Sequence, residues 1–437
     1  MKSVAIFGTG IAGLSAAHEL AEKGYKIDVY EKLSEPGGVA RSYREDDSSA
    51  PSEYSWRGYG PWYHNAFSLM KRIPIGNGKT VYDNLTRPVK FVFTQNVGKF
   101  IDELSIRDRV VFSIEIARSA SGGIERTKYY ATINAADYMR DKMTTNGWKQ
   151  FTSMFGPWVG IDSQRASLHH VMSFMVKNII PGSSASYYFQ DDKGTWKVGG
   201  RSKWLVFNKP TNEAWFNPWV KHLESMNVRF RFNYELYSIS LDTNNRIDRV
   251  LVNNQNNRYN VKADYYIIAI SPFGMLDVLK RSLSDSKSDI LQKEYIRYQK
   301  LTQDGPHVQV SFRIGFDTEF KWECCRTAVI VSSSEFNITM YRQEELWSKD
   351  VILGPDIKSL WSGTACVSYI PGSLFGKPLT ALTKDEFKQE IYYQLSKDKG
   401  FNQMLREDNG ISFEQMKDRI IHFEVWKNWK FAESDNV

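Results

Sequence analysis

MKSVAIFGTGIAGLSAAHELAEKGYKIDVYEKLSEPGGVAR, residues 1–41, decides how the rest of the chain is read. Val4 to Phe7 is a short apolar run of the kind that forms a buried parallel strand. It runs directly into Gly8-Thr9-Gly10-Ile11-Ala12-Gly13. A helix follows, apolar at Ile11, Leu14 and Ala21, and stops at Gly24. A second strand, Lys26 to Tyr30, ends on Glu31 and Lys32. Gly8 permits a tight strand-to-helix turn, Gly10 has no side chain to block a pyrophosphate, and Gly13 lets the helix pack close to the sheet. The free N–H groups at the helix start face the anion. Glu31 falls about 20 residues beyond the glycines, where a carboxylate accepts from both ribose hydroxyls and repels a 2′-phosphate. The expectation is a dinucleotide site, not of the NADP type, that includes Gly8, Gly10, Ile11, Ala12, Gly13, Glu31 and Lys32. The competing reading is a Gly-rich turn without a ligand.

Gly37-Gly38-Val39-Ala40-Arg41 follows. An acidic strand end, a Gly-Gly pair and then an Arg resemble the flavin-containing amine oxidase and phytoene desaturase superfamily, in which this extension marks FAD rather than NAD. The resemblance implies that Gly37 and Gly38 approach the dinucleotide and that Arg41 lies along its phosphate and flavin side. A guanidinium suits phosphate oxygens; the alternative is a surface ion pair with Glu35 or Glu45. Further on, Tyr54 to His64 sets two glycines and a proline among five aromatics. In relatives this stretch lies near the isoalloxazine ring, which implies that Gly58, Tyr59 and Gly60 lie near the flavin. A packed aromatic loop is the alternative. His64 reads as a hydrogen-bonded structural residue rather than an acid/base, and His18 as a packing residue.

From about 79 to 180 the pattern is mostly helical. Asn134 starts one helix, and Asp162 or Ser163 caps a stronger one with Leu168, Val171, Met172, Met175, Val176 and Ile179 at helical spacing, ended by Pro181-Gly182. Gly199-Gly200 then precedes a helical stretch with Trp215, Phe216, Trp219, Val220 and Leu223. Strands follow at Val228–Phe232, Leu236–Leu241 and Arg249–Val252, and a buried strand at Tyr265–Ile270. This succession resembles the second half of the superfamily's FAD domain, which implies that Leu236 lies near the adenine through its backbone and that Asp264 begins the last strand. His307–Ile314, Ala328–Val331 and Ile420–Trp426 read as strands, and Thr383-Lys384-Asp385-Glu386 as a capping box. The fold class expected is α/β, a Rossmann-like FAD-binding domain interleaved with an α+β substrate domain. Its expected parts are 1–78 (FAD domain), 79–195 (helical part of the substrate domain), 196–276 (FAD domain) and 277–437 (substrate-domain sheet and helices). Relatives end with a further Ala-Gly-Asp segment and helix that hold the flavin; the absence of one here puts the completeness of the flavin site in doubt.

The 57 cations and 50 anions leave a net charge of +7, but they are interleaved, with no Lys/Arg block that would mark a nucleic-acid partner. Peripheral contact with an anionic membrane surface is compatible with that balance. Cys324, Cys325 and Cys366 are too few for a disulfide framework and have no metal-ligand spacing, so a reducing compartment and no metal are expected. No signal peptide or membrane span is read, so the expected location is the cytoplasm. No Ser-His-Asp set, metal cluster or carboxylate dyad offers a competing chemistry. The reading is an FAD-dependent oxidoreductase acting on a small molecule, by hydride transfer from an amine or an unsaturated, isoprenoid-like substrate. Overall order leans towards the desaturase side. The alternatives are a redox-neutral flavoenzyme of the sugar-nucleotide mutase type and a non-catalytic remnant. The catalytic residues and the oligomeric state are not legible.

Overall fold

Val4, Ala5, Ile6 and Phe7 are all buried, so the first strand, β1 (Ser3–Phe7), has no polar face and takes an interior place in its sheet. The computed structural model describes residues 1–46, 49–53, 57–60, 62–86, 90–93, 104–153, 165–179, 188–190, 196–198, 205–255, 257–285, 288–305, 308–322, 326–331 and 333–426. Tyr54–Trp56 and Pro61 of the aromatic loop, Asp162, Ser163, Pro181-Gly182, Gly199-Gly200 and Cys324-Cys325 lie outside these residues. The chain forms two compact units. The first comprises Met1–Tyr43, Phe67–Asn84 and Pro210–Pro306; the second comprises Arg44–Ala66, Leu85–Lys209 and His307–Val437.

In the first unit, α1 (Ile11–Glu22) crosses from β1 to β2 (Lys26–Glu31), and the two strands pair in parallel. Arg229–Phe232 adds to the far side of β2 and Tyr265–Ile268 to the far side of β1, both parallel, giving a four-stranded sheet. The Tyr265 strand was expected to be buried. It is instead the end strand among the described residues, and Tyr265 is 46% exposed, because an end strand has a neighbour on one side only. Its start is tied to β1 by Asp264, whose Oδ2 accepts from the Ser3 N–H and hydroxyl at 2.7 and 2.8 Å. Those bonds hold the Asp264 carboxyl below the usual carboxylate range.

Glu235–Leu241, Ile247–Asn254 and Asn257–Val261 form a separate antiparallel sheet. The helices Pro272–Asp285 and Asp289–Thr302 share its apolar core, Val278, Leu279 and Leu291 packing with Leu236, Ile239, Val250 and Val252. These helices therefore stay with the first unit, and the chain returns to the second at about 307 rather than at 277.

The second unit holds a six-stranded sheet in the order Ile420–Val425, Val310–Phe316, Ser359–Ala365, Thr339–Arg342, Arg326–Ile330, Lys90–Phe93. Only the last pair is parallel. Lys90–Phe93 falls in the stretch expected to be helical; four residues carry too little period to declare themselves. The helix Lys384–Lys397, opened by the Thr383–Glu386 capping box as expected, lays Phe387, Ile391 and Leu395 on the sheet's apolar face. A helical cluster forms the rest. Asn134 caps Ala135–Arg140, and Leu168–Ile179 buries Leu168, Val171, Met172, Met175 and Val176. Ser167, rather than a residue further upstream, accepts the His170 N–H at its start.

α1 is locked from behind. His18 is fully buried: its Nδ1 accepts from Trp219 Nε1 at 2.9 Å, and its Nε2 faces Glu22 at 3.1 Å. That pattern fixes a neutral ring with its proton on Nε2. Burial first, and the Arg72 charge second, push its pKa below the ordinary 6.5. Below about pH 6.5 the unfolded chain therefore binds a proton that the folded one refuses, so stability falls as pH falls. The melting temperature should drop between about pH 7.5 and pH 5.5, and His18→Gln should flatten that dependence. An equal pH dependence in the variant would remove His18 as its origin.

Candidate functional site

The glycine turn separates three jobs by space. Gly8 has φ +104°, and a Cβ there would sit 2.5 Å from the Ala269 carbonyl oxygen. A Cβ on Gly13 would sit 1.9 Å from the Gly8 carbonyl oxygen. Both glycines are therefore demanded by the protein's own packing. A Cβ on Gly10 meets nothing within 4 Å. Gly10 is the N-cap of α1, and the Leu14 N–H donates to its carbonyl at 3.0 Å. The N–H groups of Ile11, Ala12 and Gly13 are the donors that a helix start leaves without an intrahelical acceptor. Ile11 and Ala12 are exposed.

Glu31 ends β2 inside this turn and is buried. Its Oε2 accepts from the Thr9 N–H at 2.7 Å and the Thr9 hydroxyl at 2.8 Å, and its Oε1 from the Leu33 N–H at 3.0 Å. The carboxylate is thus pinned to the glycine turn, while Lys32 beside it is exposed.

The Gly37–Arg41 loop docks on the same turn. Gly37 N–H donates to Thr9 O at 2.9 Å, and a Cβ on Gly38 (φ +57°) would lie 3.2 Å from the Gly10 Cα. Arg41 is buried; its Nε donates to Glu35 at 3.1 Å and its Nη1 to Gly38 O at 2.8 Å. The ion pair with Glu35 is therefore present, but as a buried brace of the loop rather than a surface contact. A residue the sequence did not single out holds the loop from the other side. Asn212 Oδ1 accepts the Ser42 N–H at 2.8 Å, Asn212 N–H donates to Ser42 Oγ at 2.7 Å, and Asn212 Nδ2 donates to Pro36 O at 3.0 Å. Asn212 begins a π-helical turn, Asn212–Phe216, and Phe216 packs against Gly37. Such turns recur at functional sites and leave no sequence signature.

The structure thus gathers Gly8, Gly10, Ile11, Ala12, Gly13, Glu31, Gly37, Gly38 and Arg41. Leu236 enters the neighbouring antiparallel sheet two residues after Tyr234, whose N–H donates to Glu31 O at 2.8 Å; its side chain is core. Gly58, Tyr59 and Gly60 belong to the second unit. There Tyr59 bridges to Leu205, with N···O distances of 2.8 and 3.0 Å. Its ring packs edge-on to Tyr63 and Phe207, and burial raises the phenol pKa. His64 is exposed at a helix start. No cluster of three or more metal-ligating side chains occurs among the described residues.

The six-stranded sheet of the second unit has one apolar and one polar face. Cross-strand partners share a face. The pairing aligns Ser311, Thr364 and Thr339 in one row, and Glu424, Arg313, Ser362 and Tyr341 in the next. All but Glu424 are buried. Cys366 lies just beyond, its thiol pushed up to about 12 by burial.

Residues 6–73 match the NAD(P)-binding Rossmann-like domain family. The chain is 34% identical over 104 residues to the zeta-carotene desaturase of Zea mays, a match that covers 24% of this chain and only 17% of that protein. It is 49% identical over 45 residues to the L-amino acid oxidase Lm29 of Lachesis muta, covering 10% of this chain and 9% of the oxidase. Among solved structures, a double mutant of putrescine oxidase superposes with a TM-score of 0.63 at 12% identity, covering 98% of this chain and 86% of the other, so the fold is shared almost throughout. With a mixed α/β fold and a Rossmann-like first unit, the chain is similar over these stretches to a carotene desaturase and an amino acid oxidase, and shares its fold with an amine oxidase.

Proposed function

We propose that the first unit binds FAD and that the chain is an oxidoreductase acting on a small molecule. The observation that carries this is Gly10. Packing explains Gly8 and Gly13, but nothing among the described residues stands where a side chain on Gly10 would go. A ligand backbone passing close to that position explains the glycine. The donor set fits a dinucleotide. The α1 start would face the pyrophosphate, and Glu31 would take the adenosine ribose. A carboxylate offers about four acceptor sites. The Thr9 hydroxyl is the donor that a ribose hydroxyl can replace, while the Thr9 and Leu33 N–H groups keep the carboxylate in place. The Gly37-Gly38 loop and Arg41 extend the site past the pyrophosphate, which favours FAD over NAD. FAD would supply the two-electron acceptor for hydride leaving a C–N or C–C bond.

On the substrate side, the local identities to a carotene desaturase and to an amino acid oxidase keep both an unsaturated, isoprenoid-like molecule and an amine in view.

The test is direct. The purified chain should carry, or take up on titration, one FAD and bind NAD far more weakly. Glu31→Gln should lower FAD affinity by about 10- to 100-fold, the worth of a hydrogen bond to a charged group. Anaerobic bleaching of the flavin by amines or by isoprenoids would tell the two substrate classes apart. A chain that takes up neither dinucleotide, or NAD alone, would overturn the reading.

A further inference from the structure

The strand Ile420–Val425 closes one end of the second unit's six-stranded sheet, and among the described residues no strand pairs with its outer side. The register fixes which backbone groups point there. Trp426 N–H donates to Ser311 O at 2.9 Å, so Trp426 and Ser311 form a hydrogen-bonded pair. Bonded and non-bonded pairs alternate along an antiparallel ladder. Glu424 opposite Arg313 and His422 opposite Gly315 are therefore bonded pairs, and the N–H and C=O groups of Phe423 and Val425, with those of Ile421, point outward. Such an edge is a template for another strand, and proteins blunt it with cations, proline or bulges. The end strands Arg229–Phe232 and Asn257–Val261 of the first unit carry exposed Arg229, Arg231 and Arg258. Ile420–Val425 has no Lys, Arg or Pro, and its one register shift lies at its start, against Gly315 and Phe316. Ile421 is 48% exposed, and Phe423 and Val425 are half-buried where they pack on the apolar core.

We infer that this edge pairs with the same edge of a second copy of the chain, antiparallel, about a twofold axis through Phe423. Self-complementarity selects that occupant. The outward groups sit on alternate residues, so the twofold must pass through one of them; an axis between two residues would set outward groups against inward ones. Centred on Phe423, the ladder is the longest the strand allows. Ile421 then meets Val425 of the second copy, apolar on apolar, on both sides of the axis. His422 meets Glu424 of the second copy in a non-bonded pair, where side chains stand closest. His422 Nε2 has no hydrogen-bond partner among the described residues and lies 3.7 Å from its own Glu424, beyond hydrogen-bond reach. An imidazole N–H opposite a carboxylate is a favourable cross-strand pair. The ladder adds about six backbone bonds. It covers little area, so the dimer is weak and dissociates at roughly micromolar concentration.

Analytical ultracentrifugation of the full chain tests this, together with amide hydrogen exchange of the peptide spanning 420–426. A concentration-dependent monomer–dimer equilibrium is expected, with slower exchange of that peptide at high protein concentration than at low. Ile421→Lys, at the exposed position, should weaken the dimer by about tenfold or more with an unchanged melting temperature. His422→Glu sets carboxylate against carboxylate in both cross-strand pairs and should weaken it by about tenfold, whereas His422→Lys should keep it. Should His422→Glu fold poorly, Ile421→Lys alone decides. The proposal is overturned if the chain stays monomeric well above micromolar concentration, or if it forms dimers that Ile421→Lys leaves intact. It is also overturned if the peptide exchanges equally slowly in the monomer, which would mean that the chain covers this edge itself.

Discussion

Gly13→Ala and Gly10→Ala should fail in opposite ways. The methyl of Gly13→Ala would stand 1.9 Å from a backbone carbonyl oxygen, which no rotamer change can relieve. Either α1 lifts from β1 or the turn at Gly8 deforms, and Gly8 is itself held against Ala269. Overpacking of this kind costs about 3 kcal/mol or more. The melting temperature should fall by roughly 10 °C, with nucleotide binding lost as a consequence. The methyl of Gly10→Ala meets no atom of the described residues within 4 Å, so that variant should melt like the wild type. Its FAD affinity should nonetheless fall by about 100-fold or more, because the methyl takes the space assigned to the pyrophosphate. Differential scanning fluorimetry and FAD titration on the two proteins check both halves. A Gly10→Ala chain that binds FAD normally would remove the main support for the site.

Asn212→Leu should give the second large effect. The substitution keeps volume but withdraws two side-chain bonds, leaving the Ser42 N–H and the Pro36 carbonyl without Asn212. Each buried group so orphaned costs about 1–3 kcal/mol. The loop from 36 to 42 can recover hydration only by leaving the glycine turn. FAD affinity should therefore fall by about 100-fold, while affinity for the adenosine half alone, probed with ADP, changes little, since Glu31 and β2 are untouched. Asn212→Asp keeps the acceptor for Ser42 and should recover part of the loss. Equal losses for FAD and ADP would mean that Asn212 supports the whole fold of the unit rather than this loop.

The contrast between Gly10 and Asn212 shows what could be read without coordinates. Gly8, Gly10 and Gly13 sit at fixed spacing between a strand and a helix, and each spacing has a steric reason, so the turn, β1, α1 and β2 were all legible. So was the Thr383 capping box, whose two partners are three residues apart. Asn212 acts on Ser42 across 170 residues, and a polar residue in a helix start carries no mark of such a bond. Lys90–Phe93 was missed for a related reason: its partner, Arg326–Ile330, lies more than two hundred positions away, and the strand itself is short. Thr9, too, carries no mark of its role in the sequence, although it fixes Glu31 through both its N–H and its hydroxyl.

The placing of Tyr265–Ile268 beside β1 has a consequence for how the protein comes into being. Ser3 meets Asp264 across 261 positions, and Gly8 rests on Ala269. The glycine turn is made well before Ala269, so its last wall arrives only after most of the second unit's helical part has been translated. Contacts of such long sequence separation slow closure. Newly made chains should therefore pass through a stage in which the nucleotide loop exists but is unfinished, and a dinucleotide present during synthesis has most to stabilise at that stage.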